Sequence, residues 1–213
     1  MIDAAGFVLA GGSSTRMGRD KAMLRIGDVP LIERSLAILR ESGLSAAVVG
    51  ERPDLSAYGA VVFDEETGRG PLQGVCRALA SSGAVLALFL SVDAPLLPPS
   101  LLEYLLRHAA TTGSAVTLSS VNGFVQTFPC VLRREILPAL DGELRSGKGG
   151  CFAAFRSVAR AVGQALSILP VELMAQAGHV CHPAGLPPAA WFLNVNTPGD
   201  LAAAGRWLKT PIA

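Results

Sequence analysis

The stretch that most limits the fold runs from Ala5 to Lys21, AGFVLAGGSSTRMGRDK: a short apolar run stopped by two glycines, then hydroxyl residues, then cations. Ala5 to Ala10 fits a buried strand of a parallel sheet, apolar on both faces and emptying into a turn at its carboxyl end. Open α/β sheets bind ligands at that edge. Gly11 and Gly12 carry no Cβ, so the backbone can approach a triphosphate closely, and the amides of Ser13, Ser14 and Thr15 can turn inward as an anion nest. Arg16 and Lys21 add positive charge against a polyanion. Spacing excludes two common phosphate loops: Gly18 is followed by Arg19, Asp20 and Lys21 rather than directly by Lys and a hydroxyl residue, and Gly11-Gly12 with Gly18 does not make G-x-G-x-x-G. A surface loop rich in Gly and Ser is the plainer reading of the same residues.

Length and charge narrow the class. A chain of 213 residues suits one α/β domain, 1–213, since domains of this class run to about 200–250 residues. A net charge of +1 argues against nucleic acid as a main partner. The apolar runs are all shorter than the ~18–20 residues that span a bilayer, and MIDAAGFVLAGG has no basic leader, so neither a membrane span nor a signal peptide is expected and the location is cytoplasmic. Cys76, Cys130, Cys151 and Cys181 show no C-x-x-C pair and read as unpaired buried thiols of a reducing compartment. His179, Cys181 and His182 stand close in sequence, but neighbours in an extended segment point to opposite faces, which disfavours a zinc site.

Strand-like and helix-like segments alternate, predicting a three-layer α/β/α sandwich around a Rossmann-like, mostly parallel sheet. Pro30 to Glu41 reads as a helix with Leu31, Ile32, Leu36 and Leu39 inward; Gly74 to Ala80 starts another; Pro99 to His108 buries Leu101, Leu102, Leu105 and Leu106. Residues 46–50, 60–63 and 84–92 read as strands. After about residue 113 the pattern shifts to more isolated strands, 116–121, 125–132 and 165–170, with a polar, glycine-rich segment from Asp141 to Gly150 between them. The shift divides the chain into a first half of about 1–112, which carries the glycine-rich loop, and a second of about 113–213. Trp191 to Asn196 reads as a strand returning to the active edge, and Pro198 to Leu208 as the last helix.

Three further segments carry chemistry. Asp93 ends the most apolar strand, where an unpaired carboxylate is costly, so a cation should meet it. Mg²⁺, which favours one or two carboxylates with phosphates and waters, is the natural candidate; capping the helix near Pro99 is the alternative. In Asn194-Val195-Asn196-Thr197-Pro198, two carboxamides two residues apart share one face of a strand, beside a ligand or metal waters, while Thr197 caps the helix and Pro198 takes its first position. Gly70-Pro71-Leu72 makes a rigid turn into a helix whose amides can face an anion or a purine edge, or an ordinary strand-to-helix turn.

Together these motifs resemble the nucleotidyltransferases that activate sugars, isoprenoid precursors and pterin cofactors. LAGG-x-S-x-RMG-x-DK, the D-x-P step at Asp93-Ala94-Pro95, the GPL-x-G turn and N-x-N-T-P-x-D-L look most like the molybdenum cofactor guanylyltransferases. The resemblance covers nearly the whole chain. It implies a glycosyltransferase-A-like nucleotidyltransferase fold, GTP and molybdopterin as substrates, Mg²⁺ on Asp93, and transient contact with other molybdenum cofactor enzymes. On it, Lys21, Arg16 and Asp93 are catalytic; Leu9, Ala10, Gly11, Gly12, Ser13, Lys21, Asp64, Gly70, Pro71, Leu72 and Asp93 bind the nucleotide; and Asn194, Asn196, Gln126 and Lys148 face the acceptor. The chain departs from the pattern in three places. Gly50-Glu51-Arg52 stands where relatives often place an asparagine near the base, Thr127 follows Gln126 where proline is usual, and only Lys148 remains of a basic pair.

Guanylyl transfer to molybdopterin leads these readings, because Ala10 precedes two glycines where the related cytidylyltransferases tend to show LAAG. The competing readings are a cytidylyltransferase for the same acceptor, another sugar- or alcohol-phosphate nucleotidyltransferase, and a non-catalytic nucleotide or cofactor carrier.

Overall fold

A computed structural model describes residues 2–11, 20–63, 70–147 and 149–209. Its first half contains β1 (Ala4–Leu9), β2 (Arg25–Ile26), β3 (Val29–Pro30), α1 (Leu31–Glu41), β4 (Ser45–Val49), β5 (Ala60–Val62), α2 (Pro71–Ser81), β6 (Leu86–Ser91) and α3 (Pro99–Thr112). Its second half adds β7 (Val116–Val121), β8 (Phe124–Arg133), α4 (Leu137–Ser146), α5 (Cys151–Ala161), β9 (Leu166–Pro170), α6 (Val171–Gln176), α7 (Pro188–Trp191) and α8 (Pro198–Lys209). Seven strands form one sheet in the order β5-β4-β1-β6-β8-β7-β9. β8 runs antiparallel to both neighbours, and every other pairing is parallel. The mostly parallel α/β sheet read from the sequence is therefore present.

The central strands are apolar on both faces because both faces are covered. In β6, Leu86, Leu88 and Leu90 face one core with α1 and α3, while Ala87 and Phe89 face a second core with α2, α4 and α5. Phe7 of β1 stacks on Phe89 across the parallel pair, ring centroids 5.4 Å apart. Three layers result. Gly74 lets α2 settle closely on the sheet, since a Cβ there would lie 3.1 Å from Val49 Cγ1 and 3.5 Å from Leu9 Cδ2.

Several expectations change in the second half. The polar stretch 141–150 is not a strand connection; it holds the end of α4, a left-handed turn at Gly147, and the lead into α5. The stripe Cys151, Ala154, Phe155, Val158, Ala159 has the helical period and is buried. The strands 116–121 and 125–132 are not isolated: they join as a hairpin through Asn122 and Gly123, both at positive φ, the geometry that matches strand twist in a two-residue turn. Residues 191–196 are not a strand. Pro188 opens α7, Trp191 is buried with its indole Nε1 donating to the Leu186 carbonyl at 2.7 Å, and Val195 donates to the Asp93 carbonyl at 2.8 Å instead of to a neighbouring strand. Cys76, Cys130 and Cys151 are free and buried, and Cys181 is free but exposed. Burial pushes the Cys76 and Cys151 thiols up to about 12 and about 11, so they pack as inert groups. No described helix is long and apolar enough to cross a membrane.

Candidate active site

The chain runs outward from β1 to β4 and β5, then crosses back to place β6 on the other side of β1. Strand order reverses between β1 and β6, the kind of point at whose carboxyl-terminal edge open α/β sheets bind their ligands. Gly11 follows β1 and Asp93 follows β6, so the two strongest sequence motifs emerge side by side. Register holds them: Leu9 pairs with Ser91, and Val92 N donates to the Leu9 carbonyl at 3.2 Å.

Lys21 closes the group. Its ammonium donates to Asp93 Oδ2 at 3.0 Å and to Asn196 Oδ1 at 2.6 Å, joining residues 72 and 175 positions apart. The cation required by the carboxylate at the end of β6 is thus met by Lys21 among the described residues. Ser91 Oγ donates to the other Asp93 oxygen at 2.5 Å and fixes the carboxylate's rotation. Asp93 makes no capping bond to α3, whose N-terminus has no side-chain cap. Half-buried on both sides, at 25% and 18% exposure, the Lys21–Asp93 pair remains open to a ligand from solvent.

Lys21 begins a one-turn 3₁₀ helix, Lys21–Met23, whose start is capped by Asp20: Oδ1 accepts from the Ala22 amide at 3.0 Å. Ala22 is buried and pins the turn to the core. On the opposite flank, Asn194 and Asn196 are exposed around buried Val195, so the predicted alternation survives without a strand. Asn196 contacts Lys21; the described bonds do not bring Asn194 into the group. Thr197 and Asp200 form a reciprocal cap: Asp200 N donates to Thr197 Oγ1 at 3.1 Å, and Asp200 Oδ2 accepts from the amides of Asn196 and Thr197 at 3.0 and 2.8 Å. Bonding to the Thr197 side chain, then to the Asn196 amide, holds the Asp200 carboxyl below the usual range. Thr197→Ala should cost about 1 kcal/mol, read as a melting temperature lower by about 2–4 °C.

Leu9 and Ala10 are buried below this edge of the sheet and Gly11 is exposed at it. Gly70 has φ +71 and Pro71 opens α2, with Leu72 buried behind it. Gln126 lies on the part of β8 beyond its pairing with β6, at the same edge, and its recorded bond is to the Phe124 carbonyl at 3.1 Å. Gly12, Ser13, Ser14, Thr15, Arg16, Asp64 and Lys148 lie outside the described residues. Among the described residues no cluster of three His, Cys, Asp or Glu side chains could hold a metal. Burial lowers the pKa of His182 from its ordinary value, and its Nδ1 accepts from the Ala184 amide at 3.0 Å.

Ser91, Asp20 and Arg52 also shape the site, and no role was read for them from the sequence. Arg52 meets Asp20 with both guanidinium Nη atoms, one at 3.0 Å and the other closer, and Asp54 through Nε at 2.9 Å and Nη2 at 2.6 Å. Bonding to Arg52 holds the Asp54 carboxyl below the usual range. The adjacency of Asp20 to Lys21 was the signal; its partner, 32 positions away, left none.

A family model for the MobA-like NTP transferase domain matches residues 6–165. The chain is 37% identical over 150 residues to a probable molybdenum cofactor guanylyltransferase of Opitutus terrae, covering 68% of this chain and 73% of that one. It is 30% identical over 211 residues to the molybdenum cofactor guanylyltransferase of Rhodobacter capsulatus, covering 96% of each. Its fold is similar to that of molybdopterin-guanine dinucleotide biosynthesis protein A from Archaeoglobus fulgidus, with a TM-score of 0.74 at 20% identity over 95% of this chain and 97% of that one.

Proposed function

We propose that this chain, which belongs to the MobA-like NTP transferase family, transfers GMP from GTP to the terminal phosphate of molybdopterin and releases pyrophosphate. The observation that carries the reading is the meeting of Lys21, Asp93 and Asn196 at the point where strand order reverses. Both halves of the chain, 1–112 and 113–213, serve this one site in one nucleotidyltransferase domain.

In the reaction an acceptor phosphate oxygen forms a bond to the α-phosphorus of GTP while the bond from that phosphorus to the bridging oxygen breaks. The nucleophile is already ionised, so placement and charge stabilisation dominate and no covalent enzyme intermediate is required. Among the described residues, Lys21 uses two of its three donors, on Asp93 and Asn196, which leaves one for a triphosphate oxygen. Lys21, Arg16 and the backbone amides after Gly11 stabilise the charge gathering on the departing pyrophosphate. Ser91 holds the Asp93 carboxylate in place, and Asn194, Asn196, Gln126 and Lys148 flank the acceptor.

The donors suit Mg²⁺: a carboxylate and a carboxamide oxygen, both hard, already converge on one cationic group. Asp93 would hold the ion, with the asparagines beside its waters. When bound, it supplies charge neutralisation across the phosphates.

Mass spectrometry of products from GTP, molybdopterin and Mg²⁺ tests the reading. Guanine dinucleotide with equimolar pyrophosphate is expected; no pyrophosphate above background makes the chain a carrier. GTP should also stabilise the protein against heat more than CTP or ATP. At about 100 times Kd the gain is about 2.7 kcal/mol, or about 5–10 °C. A larger shift with CTP would turn the enzyme into a cytidylyltransferase.

A further inference from the structure

We infer that Arg52 is a positioning residue for Lys21, acting through Asp20. The inference rests on reading Lys21 as the cation that meets the triphosphate. Lysine is a poor choice for fixed geometry: its ammonium is a point charge on a flexible four-carbon stem. Here the stem's root is held from behind. Asp20 caps the turn that begins at Lys21, and the Met23 amide donates to the Asp20 carbonyl at 3.2 Å while the Leu24 amide donates to that of Lys21 at 3.1 Å.

Arg52 ties this turn to the sheet. Its fork grips both Asp20 oxygens, a bidentate geometry that resists rotation where a single bond would not. The same guanidinium is braced on its far side by Asp54, and the Arg52 amide donates to the Gly50 carbonyl at 2.9 Å directly after β4. A line of contacts therefore runs from the end of β4 through Arg52, Asp20 and the turn to Lys21 and Asp93.

Charge gives Arg52 a second task. Asp20 neighbours Lys21, and an uncompensated carboxylate there would compete with Asp93 for the Lys21 ammonium. Arg52 neutralises it in place. An ordinary surface ion pair would do neither, but this arginine side chain is only 19% exposed and joins two segments 32 positions apart.

The test uses the full chain with Arg52→Met, which keeps the stem and removes the fork. Turnover of GTP and molybdopterin should fall by about tenfold to about a hundredfold, the scale of a misplaced catalytic group, with the KM for GTP changed by less than about threefold. In a Lys21→Ala background the same substitution should cost less than about twofold, because its effect passes through Lys21. A readout independent of activity is trace acetylation of amines with peptide mapping. The chain has lysines only at 21, 148 and 209, so Lys21 can be read against the other two. Arg52→Met should change the relative reactivity of Lys21 by about threefold or more, as an ammonium released from a fixed pair would. Unchanged Lys21 reactivity, or an equal loss of turnover with and without Lys21, overturns the inference. If Arg52→Met does not fold, Arg52→Lys keeps the charge but lacks the fork, and must still lose turnover through Lys21 and change Lys21 reactivity, by a smaller amount. Wild-type protein that makes no guanine dinucleotide would instead sink the reading of the reaction and leave the acetylation result to judge the lever alone.

Discussion

Asp93→Asn is expected to leave the fold intact and to lower GMP transfer by about 10²–10³-fold, the scale seen when a placed charge-stabilising group is removed. The shape is kept, and the backbone bond from Val195 to the Asp93 carbonyl does not involve the side chain. Its charge is lost. A neutral amide gives Lys21 a weaker acceptor than the carboxylate oxygen at 3.0 Å, and the Ser91 hydroxyl that donates to the other oxygen can meet an NH₂ group in its place. Affinity for Mg²⁺ should fall with it. Far-UV circular dichroism and the melting temperature establish folding, and product formation at saturating GTP gives the loss. Turnover like the wild type's in a folded Asp93→Asn protein would remove Asp93 from the chemistry.

What could be read in the sequence was local, and what could not was a matter of distance. The apolar runs around Phe7 and Phe89 specify two-faced strands by themselves, and Gly11 and Asp93 follow them at the edge where open α/β sheets bind ligands. Pro99 with the leucines after it specifies α3 equally well, although Ala109 carries that helix on to Thr112. The reciprocal cap of Thr197 and Asp200 is visible as spacing alone. Residues 191–196 misled because alternation of buried and exposed positions is the mark of a strand, and Val195 between two exposed asparagines has it without a neighbouring strand. There the buried Trp191 and its bond to the Leu186 carbonyl set the path. Asn122-Gly123 is a turn signal as local as any of these, and it makes a hairpin of two strands that look isolated by apolar pattern alone. The Arg52–Asp20 pair follows no sequence rule: the end of β4 and the turn at Lys21 become neighbours only once the sheet has placed them.

Gly50→Val should be the most damaging single change where β1 and β4 end, although no sequence rule singles out Gly50. Its backbone has φ +143, outside the region that side-chain-bearing residues adopt, and a β-branched residue resists it most. Space is also lacking: a Cβ would stand 3.0 Å from both the Cα and the amide nitrogen of Gly11, and 3.5 Å from the Ala10 carbonyl carbon. These are backbone atoms that cannot rotate away, so the ends of β1 and β4 must part. Backbone strain of about 1–3 kcal/mol and overpacking of about 1–3 kcal/mol add to a loss of about 2–6 kcal/mol, or a melting temperature lower by about 4 °C or more. The bond from Ala10 N to the Val49 carbonyl, 3.0 Å long, lies on the same seam and should weaken first. If Gly11 opens a phosphate loop as proposed, the damage should extend beyond stability: GTP should protect the variant against heat far less than it protects the wild type. Gly50→Ala carries the same strain and close approach without the branch, and should show a smaller loss of both kinds if Val does not fold. A Gly50→Ala protein with the stability and GTP response of the wild type would mean that β1 and β4 can part without cost, and that the phosphate loop does not depend on how closely Gly11 and Gly50 approach.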